Sequence, residues 1–397
     1  MKSLDNSSGE GIGFSQPASQ PASQPASQPA SQPASEFHKR FVQIDYAKAL
    51  GILLVVFGHV TGEEFRAAGI SNNLLLQIHN WIYCFHMPLF FILSGLGLFY
   101  KYLYKQSFNY FDELKSFAKR LLLPYVVWSA IYLLGTSLSA LFVNKKPLLD
   151  TILERGYAFI SFRGAAPIWF LAALFLADAI YVAIIRQEIL KKRTILCHSI
   201  FCFFLLGLTG YAQDWFQVNK LLLSKIYLYP LITVFRLLPS LLYVEIGFLF
   251  GYIFEKILVM KLSIKIIIFT IIIVLFSFLK INFSCGMNMH TSDFNNIYLL
   301  LLLGLLGSLG HIVFCCLLPE TMNYLAYIGK KSMDIMILHY PPIPTLRIVS
   351  IIILKLHINI YLSVTLITTF TIILCLLISI YLLQPVRKKI YGLPQLK

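Results

Sequence analysis

Residues 45–59 read Asp45-Tyr-Ala-Lys48-Ala-Leu-Gly-Ile-Leu-Leu-Val-Val-Phe-Gly-His59, an apolar run with a cation near one end and an imidazole at the other. Read as a helix, the eleven residues from Lys48 to His59 climb about 16 Å in roughly three turns, so both side chains fall on nearly the same face. Asp45 lies one turn before Lys48, within pairing reach. Ionisable groups inside a membrane helix are costly, and they usually face a bundle interior or a wet cavity. The alternatives are that Lys48 snorkels to one interface and His59 sits among headgroups at the other.

Stretches of similar apolarity recur along the chain. A window of about twenty apolar residues covers the hydrocarbon core, and such windows fall at roughly 42–60, 80–99, 121–143, 166–185, 195–211, 237–254, 264–281, 297–318, 332–354 and 358–383. The stretch from Lys220 to Phe235, with Lys220, Lys225 and Pro230, is expected to be an interfacial or re-entrant segment. The chain of 397 residues is 58% hydrophobic and 13% charged, with a mean hydropathy of +0.74. A soluble domain carries about a quarter charged residues, so the expected fold is an all-α, polytopic transmembrane bundle of about ten spans. Net charge is +15, carried in short clusters between apolar runs, which argues for membrane loops rather than a nucleic-acid face. His38-Lys39-Arg40, Lys101 to Arg120, Arg186 to Arg193, Lys256 to Lys265, Lys330-Lys331 and Arg387-Lys388-Lys389 all fall on one side with ten spans. That side is then the cytoplasm, and both termini are expected there. Lys145, Lys146, Arg155 and Arg163 make the second outer loop basic as well, either a tolerated charge or a contact for an anionic glycan or lipid.

The seven cysteines are odd in number and scattered, with no disulfide framework or metal spacing. Residues 1–36 form a polar tail, expected to be disordered, ahead of a membrane domain over 37–390. The tail lacks the pattern of a secretory signal peptide, so the first span is expected to act as an uncleaved signal. Ser15 to Ala34 is the tetrapeptide Ser-Gln-Pro-Ala five times over. Codons AGC CAG CCA GCC would spell it as the tetranucleotide AGCC repeated. Gain or loss of one unit would then shift the frame and switch expression; the alternative is an in-frame duplication without such a role.

Span two contains Phe85-His86-Met87-Pro88-Leu89-Phe90-Phe91-Ile92-Leu93-Ser94-Gly95. His86 is expected at a depth like that of His59, Pro88 removes a helix hydrogen bond, and Ser94-Gly95 allows close helix approach. Glu245, mid-span, predicts a buried cationic partner. Together with Arg120-Leu-Leu-Leu-Pro124, Pro167-Ile-Trp169-Phe-Leu and Ile328-Gly-Lys-Lys-Ser332-Met-Asp-Ile-Met-Ile-Leu-His339-Tyr-Pro341, these ordered motifs resemble the acyltransferase-3 group of membrane O-acyltransferases, especially its branch similar to fucose 4-O-acetylases. The resemblance covers about residues 40–385. It departs at Lys48, where many members carry arginine, and a lysine point charge does not offer the planar fork of arginine. The Arg120 motif also lacks the second arginine of other branches, leaving Lys119 as the neighbouring cation.

The resemblance implies transfer of an acyl group, usually acetyl from cytoplasmic acetyl-CoA, to a sugar hydroxyl of a bacterial surface glycan (lipopolysaccharide, capsule or a lipid-linked precursor) at the inner membrane. His59 is then the expected general base or transient acyl carrier, with His86 the second candidate. Lys48, Arg120 and Lys119 are the expected contacts for the phosphates of CoA. Trp169, Ser332 and His339 are candidate substrate contacts, each with a structural alternative, Trp169 as an interfacial anchor among them. His290, His311 and His357, near span ends, are expected to have no catalytic part. A transporter or flippase of a glycan precursor is the rival reading, since it too would show ten spans and buried charges. Oligomeric state is not encoded in any motif.

Overall fold

The structure, a computed structural model, describes residues 41–103, 109–142, 147–165, 167–185, 195–283, 287–340 and 345–385. The Ser-Gln-Pro-Ala tract lies outside these residues. Among them the fold is helical throughout, apart from one two-residue antiparallel strand pair. Eight helical stretches are long and apolar enough to cross a bilayer, and two shorter apolar helices, Trp169–Ile184 and Thr345–Leu354, bring the total to the ten that the hydropathy pattern predicts. The chain is a multi-pass membrane protein.

Helix α1 (Val42–His59) continues through a π turn, Val60–Glu64. It is followed by α2 (Asn73–Tyr83) and α3 (His86–Leu103), which together form the second span. α4 (Tyr110–Phe117) leads through a π turn into α5 (Leu123–Phe142). The amphipathic α6 (Leu148–Ile160) and the short apolar α7 (Trp169–Ile184) come next. α8 (Ile195–Asn219), α9 (Lys225–Val259) and α10 (Leu262–Asn282) are long. The pair β1 (Met287–Asn288) and β2 (Asp293–Phe294) caps the turn to α11 (Ile297–Cys315). α12 (Asn323–Lys330), α13 (Ser332–Leu338), α14 (Thr345–Leu354) and α15 (Ile360–Ile378) complete the fold.

Two sequence expectations change. The segment from Lys220 to Phe235 is not re-entrant: after one 3₁₀ turn it is the first part of α9, continuous through Pro230 and Pro239. Pro239 has no N–H for the carbonyl of Phe235, and Gln213 of α8, fully buried, donates to that oxygen instead at 2.8 Å. At 35 residues the helix is about 52 Å long, more than the roughly 30 Å hydrocarbon core needs. The ninth span, expected as one helix over 332–354, is two helices, α13 and α14, because Pro341, Pro342 and Pro344 follow in the chain and cannot donate to a helical ladder.

The helices sort into an inner set and a lipid-facing rim. Two-thirds of the apolar window is buried in the α2–α3 and α9 stretches (67% each), but only 6% in α10, whose Ile267, Ile271, Val274 and Phe278 are exposed. An apolar exterior is the stable one in lipid. α3 and α9 pack backbone to backbone: a methyl group on Gly95 would sit 1.9 Å from the Val244 carbonyl oxygen, and one on Gly247 would sit 2.0 Å from that of Ile92. Gly329 makes the same approach to Asp45 O, fastening α12 to the start of α1. Glu245 is fully buried, and its partners among the described residues are polar groups rather than a lysine or arginine: it accepts from Tyr181 and lies 2.8 Å from His198 Nδ1, tying α7, α8 and α9 together.

Candidate functional site

Three helices carry their chemistry in one order from end to end. α1 places Asp45, Lys48 and Ile52 around one cavity, and Val55 and His59, with Glu63 of the following π turn, around a second. α3 runs through the same pair in reverse, with His86 and Met87 at the second cavity and Ser94, Gly97 and Lys101 at the first. α13 supplies Ser332 to the first and Met336 to both, and His339 just beyond it stands beside His59. The first cavity is about 480 Å³ and the second about 130 Å³.

Lysines and an arginine surround the larger cavity: Lys48, Lys101, Arg120 and Lys330. Local sequence explains the position of Arg120. Pro124, four residues on, cannot donate to the Arg120 carbonyl, and the turn widens to a π turn in which Leu123 N–H reaches back to Ala118 O. Arg120 Nη2 then lies 3.5 Å from Asp178 Oδ2, and Ser94 Oγ donates to both oxygens of that fully buried carboxylate at 2.8 and 3.0 Å. One end of the guanidinium is thereby anchored while half of the side chain stays accessible. Lys119, in the same turn, is exposed and does not line the cavity.

The smaller cavity collects imidazoles. His59 Nδ1 is 3.3 Å from Glu63 Oε1, a close contact not aligned as a hydrogen bond. The His59 ring stacks on Tyr340 at 4.8 Å and lies 5.2 Å from that of His339. His86 Nδ1 is 3.0 Å from Ile82 O, and His339 Nδ1 is 3.0 Å from Ile335 O. A carbonyl only accepts, so each Nδ1 carries its proton and each neutral ring keeps an Nε2 lone pair. That of His339 is buried and unpartnered. Gly58 and Gly62 make this wall possible. A methyl on Gly58 would strike Tyr83 Cε2 at 2.7 Å, and one on Gly62 would strike His79 Cε1 at 2.3 Å, so the two glycines form the groove in which those stacked rings lie.

The β1–β2 turn closes the far wall. Asn288 Oδ1 accepts the backbone N–H of His290 at 3.1 Å and of Thr291 at 3.4 Å, which leaves its amide NH₂ as a donor at the cavity. Trp169 lines the cavity too, with the Arg236 guanidinium 4.8 Å from its ring centre and the His290 ring stacked at 5.9 Å. Burial, with Arg163 and Arg236 close by, pushes the His290 pKa down to about 4, so this imidazole is neutral near pH 7. Arg236 is itself fully buried and donates to the carbonyls of Phe162 and Arg163, and of His290, pinning two loops over Trp169.

His59, His86 and Trp169 thus share the small cavity, and Lys48, Arg120 and Ser332 share the large one. The sequence places Lys101 and Lys330 among the loop charges and gives His290 no part in the chemistry, and it does not single out Glu63, Asp178, Arg236 or Asn288. Asp178 and Arg236 had a readable signal, since each is an ionisable residue inside an apolar run. Asn288 and His290 had none, because only the fold brings that turn to the cavity.

The model of a family described as an acyltransferase domain, acyltransferase-3, matches residues 41–383. A nodulation protein, NolL, of Mesorhizobium japonicum (strain LMG 29417 / CECT 9101 / MAFF 303099) is 31% identical over 140 residues, covering 35% of each chain. The match thus spans about a third of that relative's length. No solved structure matches the chain. The family match runs across both cavities and almost every helix around them, and the chain, a multi-pass membrane protein, belongs to the acyltransferase-3 family.

Proposed function

We propose that the protein transfers an acetyl group from cytoplasmic acetyl-CoA to a sugar hydroxyl of a bacterial surface glycan or its lipid-linked precursor, in the inner membrane. The observation that carries this reading is the pair of cavities, one ringed by cations and one by imidazoles, meeting at a wall of three shared side chains. CoA bears phosphates, and charge-assisted contacts from Lys48, Lys101, Arg120 and Lys330 suit them. The roughly 16 Å of α1 between Lys48 and His59 matches an extended pantetheine arm. In this reading the loop clusters rich in lysine and arginine face the cytoplasm, and the histidine cavity opens toward the other side.

The chemistry follows from the same groups. Glu63 beside Nδ1 favours the His59 tautomer with its proton there, leaving Nε2 as base. Nε2 takes the proton of the sugar hydroxyl as its oxygen attacks the thioester carbonyl, and the Asn288 amide is a donor for the oxyanion that forms. Collapse breaks the carbon–sulfur bond, and the proton passes from His59 to the thiolate, giving the O-acetyl sugar and CoA. The neutral His86 Nε2 is an acceptor and suits a neighbouring hydroxyl of the sugar better than the oxyanion.

Purified protein in liposomes, given labelled acetyl-CoA and lipid-linked glycan, is expected to move label into the glycan, and cells lacking the gene are expected to lose one acetyl mass from that glycan. Acetyl-CoA left intact, with an unchanged glycan mass, refutes the reading. Arg120→Ala is expected to raise the KM for acetyl-CoA by roughly 10- to 100-fold, the size of a lost charge-assisted contact, while Arg120→Lys recovers part of it. An unchanged KM places the phosphates elsewhere. The Ser-Gln-Pro-Ala tract belongs to the same proposal as an expression switch. Sequencing the tract from glycan-positive and glycan-negative colonies should show unit changes in AGCC; mixed synonymous codons would refute the switch.

A further inference from the structure

We propose that Phe90, Phe170 and Met336 set the length of the acyl group this enzyme transfers, admitting acetyl and excluding longer chains. The inference rests on the acyl-CoA reading above and adds a selectivity to it.

These three residues line both cavities, so they form the wall between the cations and the imidazoles and border any path through it. They come from three helices, α3, α7 and α13, and each is held. The Phe90 and Phe170 rings meet edge to face at 5.8 Å, and Phe170 also meets Phe91 at 5.2 Å. Phe90 is seated over Gly51 of α1, about one turn beyond Lys48 on the way to His59: a methyl there would come within 3.2 Å of the ring's Cζ and 2.9 Å of Leu89 Cδ2. No larger residue at 51 leaves this ring where it is. Met336, 8% exposed, closes the third side from α13.

A thioester that arrives with its CoA part among the cations has to bring its carbonyl to His59. The acyl tail then either runs ahead into the small cavity or folds back against the wall. In the first case it competes with the acceptor hydroxyl for about 130 Å³, against about 480 Å³ on the donor side. In the second it meets the two phenylalanine rings and Met336 directly. An acetyl group has one methyl to place and clears both. Each further methylene meets side chains that are already packed, and an apolar pocket rejects an extra methylene by roughly tenfold or more.

The test compares kcat/KM for acetyl-, butyryl- and octanoyl-CoA with one acceptor, in purified wild type, Met336→Ala, Phe170→Ala and Met336→Leu. Wild type is expected to favour acetyl over butyryl by on the order of 100-fold. Met336→Ala and Phe170→Ala should each lower that ratio by about tenfold or more, and the volume-conserving Met336→Leu should keep it. A ratio of rates in one sample is independent of the fraction folded. Should both alanine variants fail to fold, wild type still decides: equal use of acetyl- and octanoyl-CoA overturns the proposal. Acetyl transfer with the same chain-length ratio in wild type and both alanine variants also overturns it while leaving the acyltransferase intact. Wild type that uses no acyl-CoA at all removes the reading beneath it.

Discussion

His59→Ala is expected to remain in the membrane yet lose acyl transfer by at least about 10²- to 10⁴-fold, the usual worth of a positioned general base. The substitution removes the ring that stacks on Tyr340 and stands beside His339, but it opens onto an existing cavity and strands no buried charge: Glu63 is 39% exposed and keeps access to water. Membrane yield and melting temperature should therefore change little beside the activity. His59→Gln separates base chemistry from packing, since it fills the space and can donate a hydrogen bond but cannot take the proton. It should be as inactive as the alanine variant. Glu63→Gln, which alters only the orientation of His59 and the charge beside it, should fall between wild type and the His59 variants. Glycan acetylation at the wild-type level in His59→Ala would move the base elsewhere, and His339, with its buried and unpartnered Nε2, would be the next residue to test.

The second large effect is on stability. Gly95→Ala places a methyl 1.9 Å from a backbone oxygen of α9, and Gly247→Ala does the same from the other helix at 2.0 Å. Neither obstacle is the end of a flexible side chain, so the helices themselves must part. Ordinary overpacking costs roughly 1–3 kcal/mol. A collision with backbone should reach or pass the top of that range, a large share of the roughly 5–15 kcal/mol by which proteins are stable. Both variants should lose most of their monodisperse yield in detergent and melt well below wild type. Gly135→Ala on α5 is the control, because a methyl there meets nothing within 4 Å. It should be neutral or slightly stabilising, as glycine in a helix interior is about 0.5–1 kcal/mol worse than alanine. Equal melting temperatures for Gly95→Ala and Gly135→Ala would mean that α3 and α9 do not meet as described.

Gly95 also marks how far sequence reading reaches. The Ser94-Gly95 pair was readable as a place of close helix approach, but nothing in the chain named α9 as the partner or Gly247 as its counterpart. Pro124 and Pro239 were readable as breaks in a hydrogen-bond ladder. Their consequences, a π turn at Arg120 and a donor borrowed from Gln213, depend on neighbouring turns and helices. Of the two readings of the Lys220–Phe235 segment, the re-entrant one fails because α9 runs on through Pro230, and lysines near the end of a helix longer than the bilayer cost little.

What the amino-acid sequence determined unaided is the helical membrane fold, its span count and the spacing of Lys48 and His59. These depend on local facts: apolar runs long enough to cross hydrocarbon must satisfy their own backbone hydrogen bonds, and a helix has a set rise per residue. The tertiary structure alone decided that His59 shares a cavity with His86, Asn288 and His290, that Lys101 and Lys330 join Lys48 and Arg120, and that Phe90, Phe170 and Met336 stand between the two groups. Those residues are brought together by the packing of separate helices, where glycines at Gly51, Gly58, Gly62, Gly95, Gly247 and Gly329 set how closely the neighbouring rings and backbones can approach. Such contacts leave no period or spacing in a single chain, because each is a property of two segments far apart in sequence.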